Sequence, residues 1–184
     1  MIYLVRHGMD DERYIGGWSD VDLVSLGFQQ IKECRRFIVD KNIVINKIIS
    51  SDIKRAKTTS QILNEELKKE IIYSKDLREL DKGDFTGMLK SSLSEVELEK
   101  INSFNVYDKY PNGESMLDLY KRMKIYLNNF KEDNVLIVTH RGVINMFYYI
   151  LNNVELDIDK KKFDVTHGSL HELDIEKKKI RRIF

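Results

Sequence analysis

One cysteine, one proline and one tryptophan stand among 184 residues, and each scarcity excludes something. A lone Cys34 rules out an internal disulfide and a cysteine-rich metal centre. Nor does Cys34 suit a cysteine-dependent phosphatase, which needs an arginine six positions on, where this chain has Asp40. It reads instead as a small apolar residue on a helix. The single Pro111 and the nine glycines leave the chain sparsely punctuated, with no low-complexity linker and no internal repeat. Charge of one sign is lacking too. With 31 basic and 30 acidic side chains the net charge is +1, so no global field attracts nucleic acid or an anionic membrane, and neither is expected as a partner. Long apolar runs are also missing. The N-terminal run is cut at Arg6 and His7, too early for a secretion signal or a spanning helix, and the expected location is cytoplasmic.

What is present fits one globular domain over residues 1–184, with 42% hydrophobic and 33% charged residues. Three short apolar runs rich in β-branched residues, at 2–5, 43–49 and 135–138, read as buried strands. Between them apolar residues recur at helical spacing: Phe28, Ile31, Cys34 and Ile38; then Ala56, Thr59, Ile62, Leu63 and Leu67; then Leu119, Met123, Tyr126, Leu127 and Phe130. Residues 169–175 and 179–184 look like a closing pair of strands. Strand alternating with helix predicts a three-layer α/β fold, a mostly parallel central sheet with helices on both faces. The lysine runs at 160–162 and 177–179 read as solvated turns.

In such sheets the site lies beyond the carboxyl ends of the strands. The first strand runs into Arg6-His7-Gly8. The second runs into Ser50-Ser51-Asp52, with Arg55 on the next helix, and the third into Thr139-His140-Arg141-Gly142. Two histidines and several arginines are thus delivered to one edge. Guanidinium forks match phosphate oxygens in pairs and stay charged, while a neutral imidazole can attack phosphorus and split one hard displacement into two. Gly8 would let the backbone approach closely, and a helix starting after His140 would add N–H donors for an anion.

At this point the residues resemble a known family. Leu4-Val5-Arg6-His7-Gly8 is similar to the signature of the histidine phosphatase superfamily, whose members include phosphoglycerate mutases and α-ribazole phosphatase. The resemblance continues through Gly17-Trp18-Ser19-Asp20, Ser51-Asp52-Ile53-Lys54-Arg55-Ala56, Leu77-Arg78-Glu79-Leu80, Pro111-Asn112-Gly113-Glu114-Ser115 and Val138-Thr139-His140, in order along most of the chain. It implies a phosphoglycerate mutase-like fold and a phosphohistidine intermediate on His7. Arg6, Arg55 and His140 would hold the phosphoryl oxygens. Glu79 would protonate the leaving oxygen and then activate water. Gly8 and Arg141 are further candidates for binding the phosphate ester. No metal and no cofactor are expected.

The chain departs from the family pattern in places. The common Gly-Glu-Thr after the histidine is Gly8-Met9-Asp10, and Tyr14 stands where asparagine is frequent. Val24 replaces a helix-capping threonine, with Ser25 as the expected substitute, and Arg141 occupies a position that is often glycine. His167 could line the rim, while His171 is left outside the catalytic set. Asp20-Val21-Asp22-Leu23-Val24 matches the pattern of magnesium-dependent aspartyl phosphatases, but the apolar strand that pattern needs is missing before it. Expected function is hydrolysis of a small phosphate ester, because residues 86–110 are few and the chain stops at Phe184, whereas family mutases carry longer insertions. Mutase-type phosphoryl transfer and a non-catalytic phosphate-binding module are the alternatives. The substrate alcohol and the oligomeric state are left open; Tyr14, Trp18 and Tyr107 are candidates to pack a ring or sugar.

Overall fold

The computed structural model describes residues 1–159 and 161–184; Lys160, in the first lysine run, lies outside the described residues. Among the described residues six strands form one sheet. In chain order they are β1 (Ile2–Arg6), β2 (Lys47–Ser51), β3 (Ile71–Ser74), β4 (Val135–Thr139), β5 (Leu170–Asp174) and β6 (Lys179–Arg182). Across the sheet the order is β3-β2-β4-β1-β5-β6. The first four strands in that order run parallel, and β5 and β6 close one edge antiparallel. The helices are α1 (Ser25–Asp40), α2 (Lys54–Leu67), α3 (Glu95–Ser103), α4 (Met116–Asn129) and α5 (Arg141–Asn152). No helix among the described residues is long and apolar enough to cross a membrane.

The pleat of the strands divides the core. Successive side chains point to opposite faces, so Leu136 and Val138 of β4 join Val5 and Ile48 against Ile31, Cys34, Ile38, Ile62 and Leu63 of α1 and α2. Their neighbours Val135 and Ile137 join Leu4 and Ile49 against Leu119, Met123, Val143 and Phe147 of α4 and α5. β4 is buried along its whole length, which is why it reads as an unbroken apolar run. Cys34 lies fully within the α1 and α2 layer, and burial pushes its thiol up to about 12.

Three expectations are corrected. The apolar run 43–49 is not one strand. Asn42 takes a left-handed φ of 51°, and the Ile43 N–H returns to the Ile38 carbonyl at 3.1 Å, closing α1. Val44 is then exposed, and β2 starts only at Lys47. On α1 the buried stripe begins at Gly27, not at the exposed Phe28. A Cβ on Gly27 would lie 2.2 Å from the Met9 carbonyl oxygen, so only glycine lets the loop after β1 pack there. Ser25 does not replace the missing cap either: it is the first helical residue, and Val24, the N-cap, offers no side-chain acceptor. By contrast α4 opens with a reciprocal capping box, Ser115 with Asp118, which fixes its start.

Candidate active site

Strand pairing sets the floor of the site. β1 and β4 run side by side with Arg6 opposite Thr139, and the His7 N–H continues the ladder to the Thr139 carbonyl at 2.9 Å. From the other side the Gly168 N–H reaches the carbonyls of Arg6 and His7 at 3.1 and 3.2 Å. This brings a loop from near the end of the chain against the first strand's tip. A cavity of about 230 Å³ opens there, lined by Arg6, His7, Arg55, Glu79, Arg141 and His167 among others.

His7 is 4% exposed. Its Nδ1 lies 2.8 Å from the Gly8 carbonyl oxygen, which can only accept, so the ring proton sits on Nδ1. Nε2 is left with its lone pair, 3.2 Å from the Arg55 Nε–H that points at it. Burial, with the charges of Arg55 and Arg6, holds His7 well below the usual imidazole range, so it stays neutral. That is the form a nucleophile requires.

Arg55 is fixed from behind. Its Nη2 donates to the Gly17 carbonyl at 2.7 Å and its Nη1 to the Ser19 carbonyl at 3.2 Å, which leaves the Nε edge facing His7. Arg6 donates through Nη1 to the Val165 carbonyl at 2.9 Å and through Nη2 to His167 Nε2 at 2.5 Å, while its buried Nε has no hydrogen-bond partner. Burial and the neighbouring Arg141 charge lower Arg6 to about 9, which leaves it charged at neutral pH.

His140, the N-cap of α5, is fully buried and does not line the cavity; its ring stands behind His7, centroid to centroid 5.1 Å. The Ser51 hydroxyl accepts from the Ile53 N–H at 3.3 Å and lies 2.8 Å from His140 Nε2. Among the hydrogen bonds of the described residues the Ser51 hydroxyl proton has no acceptor but Nε2, so the hydroxyl donates there and the proton of His140 is placed on Nδ1. That Nδ1 is buried without a partner. Unpaired donors on Arg6 and His140 in one buried cluster suit an anion with several acceptor oxygens.

Glu79 takes two backbone N–H groups, Leu80 on Oε1 at 2.9 Å and Gly142 on Oε2 at 3.1 Å. The second is the amino end of α5, so the N–H donors expected there for an external anion go at least partly to Glu79. The segment carrying Glu79 is braced by Trp18 Nε1 on the Glu79 carbonyl at 2.7 Å, and by Arg122 on the carbonyls of Asp76 and Arg78 at 2.6 and 2.9 Å. Arg78 is tied to Asp52 through two bonds of 2.6 Å.

One residue differs from expectation. Gly8 does not line the cavity, and its N–H is spent on Thr59 Oγ1 at 3.2 Å. Its missing side chain serves packing, since a Cβ there would lie 2.5 Å from the Gly27 carbonyl oxygen. Arg141 faces the cavity, and its charge acts on both Arg6 and His167. Of the aromatic candidates, Tyr14 lines the cavity, Trp18 is occupied under Arg78 with the guanidinium 4.7 Å from its ring, and Tyr107 stands 72% exposed outside the cavity. Asp20 and Asp22 lie in the loop before α1 and do not line the cavity. His171 is a core residue bonded to Tyr148 and Ser169.

Sequence reasoning passed over Ser51's hydroxyl as a partner of His140, Arg122 as a brace and Asp10 as a member of the site. His7, Asp10 and His167 place one donor atom each within 4.8 Å of one another, an arrangement a metal ion could also use. Here the lone pairs of both histidines meet arginine N–H groups, and Arg55 Nε stands 3.4 Å from Asp10 Oδ2. Three guanidinium groups on one cavity suit an anion far better than a cation.

A sheet of this order, two histidines at adjacent parallel strand tips and arginines around them define a phosphoryl-handling site of one class. The chain belongs to branch 1 of the histidine phosphatase superfamily, whose family model matches residues 2–183. Phosphoglycerate mutase-like protein 4 of Arabidopsis thaliana is 34% identical over 159 residues, 80% of this chain and 69% of the relative. Probable phosphoglycerate mutase GpmB of Escherichia coli K12 is 33% identical over 149 residues, 76% and 68% of the two chains. The α-ribazole phosphatase of Shigella flexneri has the same fold, with a TM-score of 0.80 at 19% identity over 99% of this chain and 94% of that one. A mycobacterial glucosyl-3-phosphoglycerate phosphatase has a TM-score of 0.74 at 19% identity, covering 99% and 96%.

Proposed function

We propose that the protein is a metal-independent phosphomonoesterase that hydrolyses a small phosphate ester through a phosphohistidine on His7. The observation that carries this reading is the His7 imidazole. Its proton is committed to the Gly8 carbonyl and its Nε2 lone pair is held against Arg55, in a cavity shared with Arg6 and Glu79.

In the first step Nε2 of His7 attacks phosphorus as the bond to the alcohol oxygen breaks, and Glu79 gives that oxygen a proton. Arg55 and Arg6 take the equatorial oxygens, whose charge grows in the transition state, and His140, enclosed beside His7 and outside the cavity lining, turns its unpaired Nδ1–H to that charge from within the protein. Desolvation strengthens these contacts, because the donors are buried. In the second step the Glu79 carboxylate removes a proton from water, which attacks phosphorus and returns the electron pair to Nε2. The backbone N–H groups of Leu80 and Gly142 keep the carboxylate in place for both transfers.

Phosphoryl transfer is the second reading, favoured by the names of the curated relatives, two of which are described as phosphoglycerate mutase-like or probable phosphoglycerate mutase. One panel separates the readings. Wild type and His7→Ala are assayed with EDTA on esters that include 3-phosphoglycerate, following both free phosphate and label passed to a second phosphoglycerate. Hydrolysis predicts free phosphate from wild type and none from His7→Ala. Activity lost with EDTA, or kept in His7→Ala, contradicts the chemistry; label in the acceptor instead of free phosphate favours transfer.

A further inference from the structure

A carboxylate stands inside the anion cradle. The family pattern commonly has a neutral threonine at this place in its Gly-Glu-Thr run; here it is Asp10. One oxygen of Asp10, Oδ2, is 3.4 Å from Arg55 Nε, and the other, Oδ1, is 3.7 Å from His167 Nε2. The side chain is 15% exposed. Asp10 thus touches the guanidinium edge that faces the nucleophile and the imidazole that Arg6 holds at 2.5 Å.

The backbone behind this carboxylate is pinned. Asp10 pairs with Leu23 in an isolated antiparallel bridge, the Val24 N–H donates to the Met9 carbonyl at 2.9 Å, and the Met9 N–H donates to Gln30 Oε1 at 2.9 Å. The other acids of the cavity are placed differently. Asp11 is held by Arg13 through three bonds of 2.6–3.1 Å, Glu79 by the N–H groups of Leu80 and Gly142, and Glu12 is exposed. Among the described residues Asp10 is the acidic side chain within 4 Å of Arg55.

We propose that Asp10 is a displaceable internal counter-ion of Arg55, which competes with the phosphoryl group for that guanidinium and keeps free phosphate weakly held. A phosphate oxygen on Arg55 Nε and the Asp10 carboxylate cannot both hold that donor closely, and they repel one another. Binding therefore requires the carboxylate to rotate away about its own side-chain bonds. After hydrolysis its return to Arg55 helps the product leave. The consequence for turnover rests on the phosphatase reading; the competition for the cradle does not, since it concerns binding alone.

The test is a titration with inorganic phosphate, by calorimetry and by its inhibition of ester turnover, on wild type, Asp10→Asn and Asp10→Ser. Both neutral variants should bind phosphate at least tenfold more tightly than wild type, and product inhibition should strengthen by the same factor. Equal or weaker binding in a variant that melts with wild type overturns the counter-ion, and so does phosphate binding by none of the three proteins. Two replacements of different shape guard against one that fails to fold. If wild type turns over no ester, the phosphatase reading fails, while the calorimetric titration still decides the role of Asp10.

Discussion

Replacing Gly142 with alanine puts a methyl group where the Glu79 carboxylate now sits. A Cβ at position 142 would lie 2.1 Å from Glu79 Oε1, 3.1 Å from its carboxyl carbon and 3.2 Å from a methyl of Leu119. Restoring van der Waals contact moves the carboxylate by about 1 Å, and the Gly142 N–H bond to Oε2 is lost or bent. The fold tolerates this, because the atom in the way is the end of a side chain, which yields. Catalysis should not tolerate it. A misplacement of about 1 Å costs about 10²-fold, within the roughly 10²–10⁴-fold that a general acid supplies. The assay is kcat/KM for an alkyl phosphate and for p-nitrophenyl phosphate, with thermal unfolding alongside. This ratio stops at departure of the alcohol, so the later hydrolysis of phosphohistidine, common to both esters, does not enter. The alkyl ester should lose about 100-fold. The nitrophenyl ester, whose leaving group needs little protonation, should lose under about tenfold, at a melting temperature near wild type. Equal losses on both esters, or none on the alkyl ester, would refute the assignment of Glu79 as the acid.

Other consequences follow from the same geometry. Ser51→Ala removes the hydroxyl that fixes the His140 tautomer. Steady-state kinetics should show a fall in kcat/KM of about tenfold, short of the roughly 10²–10³-fold lost when an oxyanion donor is removed outright. Phe147→Ala empties a fully buried site on α5 and should cost about 3–5 kcal/mol in urea denaturation. Stability should also fall in acid. His171 is lowered to about 4 by burial, so below pH 6.5 the unfolded chain takes up a proton that the native one refuses. Its contribution is complete above pH 6.5 and declines by about 1.4 kcal/mol per pH unit from there toward pH 4. His171→Asn should flatten the slope of urea stability against pH over that window; an unchanged slope would contradict it.

Much of the site was legible because strand ends and motifs coincide. The run before His140 is buried along its whole length and that before His7 at all but the partly buried Tyr3, which makes both read as apolar, and the ladder between β1 and β4 brings those two tips together. Other parts were hidden for physical reasons. β3 is an edge strand with Ile72 and Tyr73 exposed, and it carries no buried face to set a pattern. α3 has no buried residue at all and is announced only by the capping box of Ser94 and Glu97. The partnership of His167 with Arg6 depends on the loop after Val165 folding back onto β1, a contact across 161 residues that no local spacing records. Asp10 differed visibly from the family pattern, yet its place against Arg55 is set by the packing of Gly8 and Gly27, where each glycine makes room for the other's segment.

The most direct measurement is rapid quench of wild-type enzyme during turnover of a phosphate ester in EDTA, followed by peptide mass spectrometry under conditions that spare phosphohistidine. A transient phosphoryl group on the peptide carrying His7, localised to its imidazole and absent from His7→Ala, is the predicted result. Phosphorylation at Asp20 or Asp22, or full turnover with His7 never modified, would contradict the account.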